Sequence, residues 1–259
     1  MESLNFNFSF YDWLLVFMVT ALGTLSAYLK DPQLKAVTAT IPIPFGFAYL
    51  AVGKIIDTPN VIAGFYCLLF AQLVRLLTYK LKCPIVLSII LGLAFVVLAG
   101  TSTLPLLPPD NDAIFVCACL FDFAVGITLF QNQKYKSGVR YKTPLPVYIK
   151  ASAIALVVGG LMVIKQFMQG FCTSFPMMNS IVSYESRHSL GDQCRQLPLF
   201  LMVAPFMFMV MRYTELWFGL NHWIVLILGW IVYTPPYMML NKELKRRNEL
   251  NYNTVTSDK

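Results

Sequence analysis

The feature that constrains this chain most is a succession of long apolar runs, interrupted only briefly by polar residues between Phe10 and Leu240. A single helical crossing of a bilayer takes roughly 20 residues at about 1.5 Å each. Cutting the sequence at its turn-forming clusters leaves nine runs near that length: 10–29, 36–53, 60–79, 84–104, 113–131, 144–164, 168–185, 197–217 and 219–240. The cuts fall at Lys30-Asp31-Pro32, Asp57-Thr58-Pro59-Asn60, Lys82-Cys83-Pro84, Pro108-Pro109-Asp110-Asn111 and Lys142-Thr143-Pro144, all turn chemistry. Soluble domains carry roughly 25% charged residues; this chain carries 13%, with a mean hydropathy of +0.63. The expected fold class is therefore an all-α polytopic membrane protein with about nine transmembrane helices, and 259 residues leave no room for a sizeable soluble domain.

The start of the chain is acidic, with Glu2 and Asp12, and lacks the basic flank and small-residue cleavage site of a secretory signal, so the first run is expected to stay as a span. Cytoplasmic loops retain Lys and Arg. Nine spans with the C-terminus inside gather Lys30, Lys35, Lys80, Lys82, Lys134, Lys136, Arg140, Lys142, Arg187, Arg195, Lys242, Lys245, Arg246, Arg247 and Lys259 on the inner side. Only Lys54 and Lys165 fall outside, while Arg75, Lys150 and Arg212 lie within spans. An even span count scrambles this alternation. The expected placement is a cell inner membrane, with the N-terminus outside and the C-terminus cytoplasmic. The net charge of +7 is thereby a topology signal, and nucleic acid is not an expected partner. Cys67, Cys83, Cys117, Cys119, Cys172 and Cys194 form no CxxC pair and read as small apolar residues; a bridge from Cys117 or Cys119 to Cys172 stays open.

An internal repeat follows from alignment of the two halves. An offset of 134 sets Ser174-Phe175-Pro176 on Thr40-Ile41-Pro42, and an offset of 137 sets Arg212 on Arg75 and Ile227-Leu228-Gly229 on Ile90-Leu91-Gly92. Spans one to four then correspond to spans six to nine. Five spans separate equivalent elements, and five is odd, so the copies are inverted. The alternative is coincidence among runs rich in Leu, Ile and Phe. The expected organisation is a first repeat at 1–104, a linking helix with its loops at 105–143, a second repeat at 144–240 and a cytoplasmic tail at 241–259. Inverted repeats recur in secondary transporters.

The stretch Tyr148-Ile149-Lys150-Ala151 through Ala155-Leu156-Val157-Val158, then Phe175-Pro176, then Val203-Ala204-Pro205-Phe206 to Leu216-Trp217-Phe218, resembles the GlpM-type inner-membrane proteins, which are about half as long as this chain. The resemblance covers spans six to nine and, in outline, spans one to four. It implies a polytopic bacterial inner-membrane protein, with a link to exopolysaccharide production in some members, and carries over no catalytic residue.

Few residues carry candidate chemistry. Asp122 stands in the middle of an apolar run, where a charged group costs about 2.5–3.5 kcal/mol, so it is expected to face the protein interior as a proton carrier, as a counter-ion, or as a hydrogen-bonded structural acid. Arg75 and Arg212 either snorkel to headgroups or approach a central cavity from opposite sides to hold an anion. Thr40, Pro42, Ser174 and Pro176 interrupt two short spans, which frees backbone groups at membrane depth unless the two hydroxyls heal the kinks. Glu185, Arg187 and His188 belong to the densest polar run, Tyr184 to Asp192, expected to be a solvated cytoplasmic loop rather than a metal or acid–base site. His222 reads as an outer interfacial residue. No GxSxG, HExxH, Walker A or dinucleotide fingerprint occurs, so neither catalysis nor a cofactor is expected.

These residues point first to a secondary transporter or exporter of a small anionic or amphipathic substrate, coupled to protons through Asp122. A non-transporting subunit of an envelope polysaccharide or lipid pathway is the second reading. An intramembrane enzyme on a lipid-linked substrate, built from Asp122, Glu185 and His188, is the third. Expected partners are membrane lipids, an unidentified small molecule, and either a second copy or an envelope-pathway protein.

Overall fold

The computed structural model describes residues 9–107, 110–133, 141–142, 144–166 and 176–257, without the side chains of 163–166 and 249–257. Among these residues every regular element is helical: α1 Phe10–Tyr28, α2 Pro32–Thr38, α3 Ile43–Val52, α4 Thr58–Tyr79, α5 Ile85–Thr103 followed by a 3₁₀ turn at Leu104–Leu106, α6 Asp112–Gln131, α7 Val147–Gln166, α8 Met177–Glu185, α9 Leu190–Phe218 and α10 His222–Ser257. The chain is an all-α, multi-pass membrane protein. Among the described residues seven helices or helix pairs are long and apolar enough to cross a bilayer, with α2 and α3 together making one such span.

Local sequence sets the boundaries. Ser9 and Asp12 form a capping box on α1, Asp57 and Asn60 form another on α4, and Asp31 caps α2 with Pro32 at its first position. Gly53 and Gly219 close α3 and α9 in left-handed conformation, at φ 60° and 57°, which a side chain there would disfavour.

Contacts between helix ends sort them onto two faces. Tyr11 meets Trp223, Tyr49 meets Glu215 and His222, and Arg212 meets Asp57 and Asp112; this is the N-face. Tyr28 meets Leu145, Tyr79 meets Arg187, Gln133 meets Arg195, Gln196 meets Asn241 and Arg247 lies over Phe130; this is the C-face. The first helix thus begins at one face and the last leaves at the other.

α1 packs on α7, α4 on α9, α5 on α4, and α10 on α9, while α6 lies against α9 and α4. Small residues let these helices close. A Cβ on Gly126 of α6 would stand 2.9 Å from the Pro198 carbonyl oxygen of α9. Gly92 of α5 meets Phe70 and Val74 of α4, and Gly229 of α10 meets Met207 and Met211 of α9. The second set of contacts is the first displaced by 137 positions.

Two expectations need correction. The polar run from Tyr184 to Asp192 is not a solvated loop: Glu185 is 1% exposed, and Ser186, Ser189 and Asp192 are also buried. The cause is helix length. α8 has only nine residues, about 14 Å of helix, and ends inside the protein. α9 then starts at Leu190 instead of 197, so its first two turns are buried against α2, α4 and α8. The last helix likewise runs past 240, to Ser257.

Candidate functional site

The span formed by α2 and α3 is interrupted over 39–42, and Pro42 is the N-cap of α3. Pro176 is the N-cap of α8. Both prolines therefore stand where a missing N–H costs no helical bond. The two helix starts face one cavity of about 60 Å³, lined by Thr40, Pro42 and Phe45 from one side and by Met177, Met178 and Asn179 from the other. Cys67 of α4 and Phe200 of α9 complete its wall. A water needs about 10–15 Å³ of such space, so the cavity admits a small ion with a few waters. The first-turn amides of α3 and α8 have no carbonyl in their own helices, and the positive ends of both dipoles meet here.

The break is anchored from α10. Thr40 donates its hydroxyl to the Val37 carbonyl at 3.0 Å, and its own carbonyl accepts from the Tyr233 hydroxyl at 2.7 Å. The Tyr237 hydroxyl bonds Thr40 Oγ1 and lies 3.4 Å from Gln196 Oε1, and Gln196 donates to Asn241 at 2.9 Å. A chain of polar side chains thus runs from the cavity wall to the C-face.

Asp122 is 1% exposed and points into the bundle from α6. A Cβ on Gly64 of α4 would stand 3.5 Å from Asp122 Oδ2 and 3.3 Å from the Phe200 ring. The carboxyl thus lies beside Gly64, at a distance where a Cβ would make ordinary van der Waals contact with it. Neither carboxyl oxygen has a hydrogen-bond partner among the described residues. The Phe200 ring approaches Gly64 and also lines the cavity wall.

Each face is closed by a charged cluster. At the C-face, Lys150 of α7 pairs with Glu185 of α8, and the Lys35 ammonium donates to the Tyr141 and Glu185 carbonyls at 2.7 and 3.2 Å. Arg187 donates to the Tyr141 hydroxyl at 2.7 Å and stacks on the same ring. At the N-face, Arg212 donates to Asp112 at 2.8 Å, to the Ile56 carbonyl at 2.8 Å and to Asp57 at 3.3 Å. Glu215 accepts from the Tyr49 hydroxyl at 2.6 Å and lies 3.2 Å from His222.

The structure therefore brings Thr40, Pro42 and the start of α8 at Pro176 together; Ser174 lies outside the described residues. It does not bring the two arginines to the cavity. Arg212 is bound at the N-face by Asp57 and Asp112 rather than by Asp122, and Arg75 is exposed beside Cys194. Asp122, Glu185 and His188 do not converge: Asp122 is held at Gly64, Glu185 at Lys150, and His188 is exposed against Tyr141. No group of His, Cys, Asp and Glu among the described residues is arranged to hold a metal. Among the described residues Cys67, Cys83, Cys117, Cys119 and Cys194 form no disulfide, and Cys172 lies outside them.

Sequence reasoning missed Asn179, Phe200, Tyr233 and Tyr237. The tyrosines had a signal, a spacing of four on one helix face, but many aromatic pairs share it. Lys35 was assigned to a loop and is 2% exposed. Comparison with family models, curated proteins and solved structures found no match.

Proposed function

We propose that this chain is a secondary transporter working by alternating access, which holds a small anion between two half-length helices and couples its movement to protons through Asp122. The observation that carries the reading is the convergence of two interrupted spans on one cavity. Paired broken helices whose N-termini face a central site are a recurrent means of holding an anion at membrane depth. Among the described residues no cationic side chain lines the cavity, so the free first-turn amides of α3 and α8 and the Asn179 side-chain amide do the holding.

The halves are read as inverted copies. Support comes from the glycine contacts repeated at 137 positions, and from the pairing of α1 with α7 and α4 with α9, each helix against its own equivalent. Elements beside a two-fold axis pack in that way. In this reading the clusters around Glu185 and Arg212 are the two gates, both shut. The C-face is the cytoplasmic one, since it carries Lys80, Lys82, Lys142 and Arg187.

Two measurements test this. With the other cysteines replaced by serine, Cys67 reports on the cavity. Alternating access requires a membrane-impermeant maleimide to reach Cys67 from either side of reconstituted vesicles; labelling from one side only, or from neither, refutes it. In proteoliposomes with an imposed pH gradient, flux of a small inorganic or carboxylate anion should lose its proton dependence in Asp122→Asn. Unchanged proton-driven flux would remove Asp122 from the mechanism.

A further inference from the structure

α5 packs on α4 and α7 packs on α1, and between α5 and α7 lies a second, much larger space of about 1020 Å³. Its walls are apolar, with Val86, Ile90 and Leu98 on α5 facing Val157 and Leu161 on α7, and α8 forms the floor. From Val86 to Leu98 the groove runs for about 18 Å along the helix axis. One leaflet contributes about half of the roughly 30 Å hydrocarbon core, so the groove is as long as one leaflet is deep. It starts at the first turns of α5 and α7, both at the C-face, and so matches the chain of a lipid in that leaflet.

Charge is confined to the same end. Lys150 and Glu185 line the groove there, 6% and 1% exposed, and Glu185 Oε2 has no hydrogen-bond partner among the described residues. Tyr184 lies under the Lys150 ammonium at 4.8 Å. Exposed Lys82 precedes α5, exposed Lys142 precedes α7, and half-buried Arg187 follows α8. Among the described residues the single carboxylate of Glu185 stands against these four cations; the nearby Asp192 is already paired with Arg195, and Asp31 caps α2. An uncharged lipid would leave that excess unanswered.

We infer that the groove between α5 and α7 binds an anionic amphiphile of the C-face leaflet, its acyl chain between the two helices and its phosphate or carboxylate among Lys82, Lys142, Lys150 and Arg187. Fixed cations at a concave mouth distinguish this site from the lipid that coats the convex faces of α1, α6 and α10. The site does not depend on whether the chain transports.

The test uses the full chain in nanodiscs of phosphatidylcholine containing a small fraction of phosphatidylglycerol with a diazirine in its acyl chain. Photolysis followed by peptide mapping is expected to concentrate adducts on 86–98 and 153–161. Gly160→Phe is expected to displace them; a Cβ there meets nothing within 4 Å, and an unchanged unfolding temperature checks that the variant keeps its fold. Removing both exposed lysines, by Lys82→Ser and Lys142→Ser, is expected to lower the preference over the same diazirine on phosphatidylcholine by about fivefold per lysine. Adducts spread evenly over all lipid-facing helices, or equal labelling by the phosphatidylcholine probe, would overturn the inference. Both readouts are independent of flux, so a failed transport assay leaves them intact.

Discussion

The seam where α3 meets α10 and the seam where α8 meets α5 occupy corresponding places, yet one is filled by a large side chain and the other borders the open groove. In the filled seam, Leu226 and Trp230 of α10 come within 2.9 Å of where a Cβ on Gly46 would stand. The residues 137 positions earlier are Ile89 and Leu93, and both line the groove against Ser180 and Ile181. An indole stands opposite a glycine in one seam; in the other a leucine stands opposite a serine, where α5 and α8 still touch and the space opens beside them, toward α7. The arginines differ in the same sense: Arg212 is 2% exposed and bound by two carboxylates, whereas Arg75 is exposed. Two similar frameworks thus diverge through the bulk and burial of a few side chains, and the open seam is the one left free for a ligand.

The arginine pair gives the largest test of this difference. Arg212→Met strips the buried partner from Asp57 and Asp112 and is expected to cost about 3 kcal/mol, tempered by the 59% exposure of the Asp112 side chain, whereas Arg75→Met is expected to stay within about 0.5 kcal/mol. Unfolding temperatures in detergent compare the two; equal losses would mean that burial is not what separates them. Next come the glycines. Gly46→Leu overpacks the filled seam and is expected to destabilise by about 2 kcal/mol. Gly160→Leu projects into open space, and better helix propensity should make it neutral or slightly stabilising, by about 0.5 kcal/mol. A matching penalty at Gly160 would show that the groove is closed in the membrane. The smallest effect on stability is expected from Leu93→Trp, which copies the filling residue into the open seam. Its signature is loss of the lipid adducts with little change in unfolding temperature, and retained adducts would show that bulk at this position does not seal the seam.

Much of this architecture is legible in sequence for simple reasons. A lone carboxylate in an apolar run cannot face lipid, so the inward position of Asp122 follows from its cost alone. The prolines at 42 and 176 mark helix starts because they cannot donate a backbone bond. The rest depends on partners distant in sequence. Glu185 stands in a run that reads as a loop, and only its bond to Lys150, on a different helix, explains its burial. Lys35 is buried because two carbonyls, one of them 150 positions away, receive its ammonium. The groove leaves no trace in the periodicity of α5 or α7, since a helix that is apolar all round looks alike beside a neighbour or beside lipid.

The two charged clusters have opposite electrical composition. Around Glu185 one acid serves several cations, and around Arg212 one cation serves two acids. The two described clusters therefore form a dipole along the membrane normal, positive at the C-face and negative at the N-face. With the C-face inward, as proposed, a resting voltage that is negative inside pulls each cluster toward its own surface, at about 2.3 kcal/mol per charge for every 100 mV crossed. Depolarisation would relax both plugs at once, making the bilayer's voltage part of what holds the resting conformation together.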